Sequence, residues 1–98
     1  MAFVVILYKK RDYEQAEPLY RQALEIKKKM LGNDHPDVPA SLNDLARLLR
    51  EKGDYEQAEP LFRQALEVRK KALGNDHPDI ALSLDNLAGL LFRKGDYE

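Results

Sequence analysis

The sequence predicts an all-α chain built from tandem helix-turn-helix repeats. Three observations carry that expectation: an internal period of 42 residues, apolar residues at helical spacing within each period, and cap residues at the period's boundaries. Asp12-Tyr13-Glu14-Gln15-Ala16-Glu17-Pro18-Leu19 returns as Asp54-Tyr55-Glu56-Gln57-Ala58-Glu59-Pro60-Leu61 and begins again at Asp96-Tyr97-Glu98. Leu31-Gly32-Asn33-Asp34-His35-Pro36-Asp37 returns as Leu73-Gly74-Asn75-Asp76-His77-Pro78-Asp79. Roughly two-thirds of residues 11–52 are identical to their partners in 53–94. Periods of this length mean stacked units, each too small to bury its own apolar face. No stretch alternates with period two, which argues against propeller blades of similar length.

The elements follow in order. The apolar run Phe3 to Tyr8 aligns with the end of a first helix, so the chain reads as a half-helix followed by four helices. Arg11 stands where the later copies have Gly53 and Gly95. A non-glycine residue in a left-handed turn is disfavoured by about 1 kcal/mol or more, so this segment is expected to run straight into the next helix. After His35-Pro36-Asp37 comes a first-type helix that Gly53 stops. Its successor opens at Asp54, with Gln57 three residues on to complete a capping box. Ala58, Leu61, Phe62, Ala65 and Leu66 form its buried stripe, and Gly74 ends it.

Pro60 forfeits a bond to Glu56, a cost of order 3 kcal/mol in a helix interior. So near the cap we expect a kink and not a break, and the same at Pro18. The last helix is announced by His77-Pro78-Asp79, since proline suits the first helical position and an acid favours the positive end of the dipole. Ile80, Leu84, Leu87, Ala88 and Leu91 recur at steps of three and four, and Gly95 is expected to stop the helix. On the outer faces, Glu59/Arg63 and Glu67/Lys71 are placed to pair at i,i+4. The expected organisation is one array over 1–98, with a partial repeat 1–35, a full repeat 36–77 and a partial repeat 78–98.

Composition narrows the function classes. The 16 basic and 17 acidic residues leave a net charge of −1, which gives no field to recruit nucleic acid or an anionic membrane. No apolar run approaches the roughly 20 residues a membrane helix needs. Basic residues Lys9, Lys10 and Arg11 follow the apolar start, the reverse of a secretory signal. The chain has no cysteine, which rules out disulfides and thiolate metal sites and fits a reducing, cytoplasmic setting.

Leu42, Leu45, Ala46, Leu49, Gly53, Tyr55, Ala58, Phe62 and Ala65 resemble the spaced signature of the tetratricopeptide repeat. Leu84, Leu87, Ala88, Leu91, Gly95 and Tyr97 repeat its first half. Leucine stands where the family often has tryptophan or tyrosine, and Lys70 takes the place of the proline after the second helix. The period is longer than the usual 34 or so residues. In its length and its Gly-Asn-Asp-His-Pro-Asp turn it is similar to the repeats of kinesin light chains and their bacterial relatives. The resemblance implies a right-handed superhelical α-solenoid whose inner wall holds protein or peptide partners.

Little in the sequence points to catalysis. There is no phosphate loop, no nucleophile–base pair and no carboxylate dyad, so no catalytic residue and no cofactor are expected. His-Pro-Asp also occurs in J-domains, but here it recurs with the array's period and reads as a turn and helix start. Two isolated histidines, His35 and His77, do not make a metal site. The basic runs Lys27-Lys28-Lys29 and Arg69-Lys70-Lys71 complement helix C-termini and are placed to pair with Glu25 and Glu67.

Helical spacing puts Asn43, Asp44, Arg47 and Arg50, then Asp85, Asn86, Gly89, Phe92 and Arg93, on the inner wall. The resemblance implies that Asn43 and Asn86 hold a peptide backbone, since an amide both donates and accepts. The arginines suit acidic ligand residues. The last helix lacks a hairpin partner, leaving Leu84, Leu87 and Leu91 short of cover. This predicts a homo-oligomer, by swapped terminal segments or by head-to-tail stacking, as the alternative to a dedicated ligand.

Overall fold

A computed structural model describes the backbone of residues 2–97 and the side chains of residues 12–95. Four helices follow one another: α1 (Ala2–Leu31), α2 (Val38–Lys52), α3 (Tyr55–Leu73) and α4 (Pro78–Tyr97). There is no strand among the described residues. Each helix packs on the next in sequence, most extensively α2 on α3. This is the all-α helical-repeat solenoid that the period requires.

The core is a single cluster threaded through all four helices. Leu24 of α1, Leu42, Leu45, Ala46 and Leu49 of α2, Ala58, Phe62, Ala65 and Leu66 of α3, and Ile80, Leu87 and Leu90 of α4 belong to it. Phe62 is fully buried, with Leu61 packed at its edge. Burying a leucine or phenylalanine side chain is worth roughly 1.5–3 kcal/mol, so these helices hold because their stripes meet. The expectation that α4 is short of cover holds at Leu84 and Leu91 and fails at Leu87. Leu87 is buried, and the unforeseen Leu90 is fully so, whereas Leu84 and Leu91 are 48% and 41% exposed.

The turns explain where α2 and α3 stop. Gly53 adopts φ 88°, and its N–H bonds the Arg50 carbonyl while the Asp54 N–H bonds that of Leu49, at 2.9 and 2.8 Å. That double closure needs a left-handed residue, which glycine supplies without strain. Gly32 and Gly74 close α1 and α3 by a single bond each, to Lys28 and Lys70.

Gly95 does not act as expected: α4 runs on to Tyr97, and φ is not positive there. Glycine makes a stop cheap but does not impose one. At Gly53 the apolar face of α3 folds back and draws the chain out of the helix. Within a helix glycine costs only about 1 kcal/mol.

Arg11 behaves as expected, for α1 is one helix of 30 residues. At about 1.5 Å per residue its length is comparable to the molecule's longest dimension, 46 Å. The apolar side chains Phe3 to Tyr8 lie outside the described residues. Pro18 and Pro60 sit inside unbroken helices.

The two His-Pro-Asp turns start their helices differently. α4 begins at Pro78, as read, but α2 begins at Val38, two residues past Pro36. Pro39 stands where α4 has Ala81 and has no N–H to offer the His35 carbonyl, so the first full turn closes later. In both copies the imidazole Nδ1 accepts from the N–H of the aspartate, at 3.1 Å for His35–Asp37 and 3.0 Å for His77–Asp79. His77 therefore caps the start of α4, whereas His35 closes the turn just before α2.

At Asp54 half of the capping box is present. Its carboxylate accepts from the Gln57 N–H at 3.3 Å, but the Gln57 amide donates back to that carboxylate at 2.7 Å. The Asp54 N–H is already taken by Leu49, so the reciprocal bond has no donor.

Candidate protein-binding face

The face is positioned by joints between successive helical hairpins. Lys52 at the end of α2 donates to Glu17 on α1, and Lys94 on α4 donates to Glu59 on α3; both pairs are 35 residues apart. Arg21 and Arg63 reach the same carboxylates at i,i+4, each at 3.0 Å. The hydrogen bond from Lys52 holds the Glu17 carboxyl below its ordinary range, burial opposes it, and the bond from Arg21 adds to the lowering. Arg63 and then Lys94 do the same for Glu59. The hydrogen bonds to Glu56 and Glu59 push Lys94 upward.

Arg69 adds a further tie across α3 and α4, donating to the Ser83 hydroxyl at 2.9 Å and the Asp79 carbonyl at 3.3 Å. Neither Glu25 nor Glu67 pairs with its basic run among the described residues; Lys71 lies 3.8 Å from Asp34 instead. Exposed i,i+4 pairs are worth little, so small changes in geometry decide whether they form.

These joints set the expected wall residues in place. Asp44 and Arg47 form an ion pair at 2.6 Å on α2. Arg50 donates to Glu51 at 3.3 Å, and Arg93 on α4 donates to the same Glu51 oxygen at 3.4 Å. The C-terminal halves of α2 and α4 are thereby joined into one charged strip.

Asp85 is exposed, Asn86 half-buried, Gly89 exposed and Phe92 73% exposed. Asn43 departs from the expectation: it is buried at 4%, and its Oδ1 has no partner. The cause is packing on both sides. α1 and α3 each cover α2, so between Ser41 and Leu49 only Arg47 stays exposed.

Sequence reasoning missed Tyr13, Tyr20, Leu48 and Glu51 of this face. Tyr13 and Tyr20 of α1 line an open groove of about 280 Å³ with Asp44, Arg47, Leu48, Arg50 and Glu51 of α2. The tyrosines reach it from the side of α1 that corresponds to the side α3 turns toward α2, since Tyr13 and Tyr20 lie one period before Tyr55 and Phe62. Glu51 carried a usable signal, since it and Arg93 are opposite charges one full period apart.

A family model described as tetratricopeptide repeat matches residues 3–71 and again residues 40–98. The chain belongs to the tetratricopeptide repeat family. Tetratricopeptide repeats generally mediate protein–protein interaction, on a scaffold that is itself non-catalytic. No curated protein matches this tetratricopeptide chain. Among its described residues no helix is long and apolar enough to cross a membrane, and no three His, Asp or Glu side chains gather as a metal site.

Proposed function

We propose that this tetratricopeptide array is a scaffold that holds protein or peptide partners along the strip carrying Asp44, Arg47, Arg50 and Arg93. One observation carries the reading. Glu51 accepts from both Arg50 and Arg93, so the first-type helices of successive repeats present a continuous wall. A wall of spaced arginines, with an exposed Phe92 and the half-buried amide of Asn86 beside it, suits an extended acidic segment with an apolar anchor.

The 42-residue period and its long second helix support the kinesin-light-chain-like form of the repeat, and the lack of cysteine fits a cytoplasmic setting. The test is a peptide library rich in Asp and Glu, followed by calorimetric titration of the best binder. Arg47→Ala and Arg93→Ala should each weaken binding about tenfold. Unchanged affinity in both variants would remove this strip as the binding face.

A further inference from the structure

We propose that the exposed face of α4 on one copy of this chain docks onto the open face of α1 on a second copy, extending the array head to tail. The proposal rests on reading the chain as a protein-binding scaffold and names one partner. Within the chain, the α2–α3 hairpin is closed by Leu42, Ala46 and Leu49 meeting Ala58, Phe62 and Ala65, all at 0% exposure in one cluster.

One period later, α4 carries Leu84, Ala88 and Leu91 at the positions of the α2 trio, and all three are exposed. One period earlier, α1 carries Ala16, Tyr20 and Ala23 at the positions of the α3 trio. Tyr20 is 39% exposed, Ala23 is exposed and Ala16 half-buried. The molecule therefore presents both halves of an interface it already builds internally, leucines on α4 and an alanine–tyrosine stripe on α1.

Charge agrees with this register. A docked α4 lies beside α2 of the next copy as α2 lies beside α4 within the chain. That sets Arg93 of one copy against Glu51 of the other, an attractive pairing. The groove beside Tyr13 and Tyr20 opens along the same seat. The two faces differ, so the contact is heterologous and adds copies in sequence unless the rotation closes a ring.

Sedimentation of the 98-residue chain over a wide concentration range tests the idea, and the mean mass should climb with concentration. Two double variants each disable one face: Leu84→Glu with Leu91→Glu, and Tyr20→Glu with Ala23→Glu. Each should associate with itself more than about tenfold more weakly. Helical circular dichroism should be unchanged, because the altered positions are exposed. Mixed in equal amounts, the two variants should form a heterodimer, since each keeps the face the other lacks. A mixture that stays monomeric would overturn the proposal, as would self-association surviving in both variants. A parent chain that is monomeric throughout yet still binds acidic peptides ends this proposal and leaves the scaffold reading standing.

Discussion

Helices α2 and α4 are close copies one period apart, yet their leucines live in different surroundings. Leu42 and Leu49 are fully buried, whereas Leu84 and Leu91 are 48% and 41% exposed. The difference lies in the neighbours. α2 is packed on by α1 and α3, whereas among the described residues α4 has only α3 in extensive contact. In a repeat protein a buried residue is therefore a property of the seam, and the same sequence is core in one place and surface in another.

The sharpest way to break this comparison is to truncate the paired leucines. Leu49→Ala should cost about 2–5 kcal/mol in urea unfolding, as core truncations do, while Leu91→Ala should cost under about 1. Equal losses would mean that the Leu91 face is covered in solution.

The glycines supply the next contrast. Gly53→Ala places a side chain in a left-handed turn and should cost about 1 kcal/mol or more. Gly95→Ala, in a helix with nothing within 4 Å of the added carbon, should raise the thermal midpoint, by up to about 1 kcal/mol of stability. A loss at position 95 would show that the chain turns there in solution. Asp54→Ala removes the cap of α3 and should cost about 1 kcal/mol.

The smallest effect concerns the joints. The folded Glu17 and Glu59 carboxyls titrate below their unfolded values. Their contribution is thus fully present above the unfolded carboxylate range and is lost as the pH falls through the folded values. Both pairs are only partly shielded from water, so the loss is small. Stability curves of Glu17→Gln and Glu59→Gln should lie slightly below the parent at neutral pH and converge with it in acid.

Much of this architecture was legible in the sequence because local chemistry and the period agree. Asp54-Tyr55-Glu56 marks a helix start, Gly32, Gly53 and Gly74 mark stops, and Arg11 marks a join without one. The errors fall where tertiary contact decides. Gly95 carries the residue type of a stop, yet its φ stays helical and α4 runs on to Tyr97. Asn43 and Asp85 share a register but differ in burial, because α2 has a neighbour on each side. Tyr13 and Tyr20 could not be placed on the charged face without knowing that α1 shares a groove with α2.

The Lys52–Glu17 and Lys94–Glu59 contacts have a consequence for how such a protein can lengthen or shorten. Both span 35 residues, and each crosses from one hairpin to the next. Excising residues 18–59, one whole period, would bring Lys94 to the distance from Glu17 that Lys52 now holds. Duplicating a period would create another copy of the same contact. The join is therefore indifferent to how many units stand on either side, and a gene could gain or drop repeats in frame without having to evolve a new one.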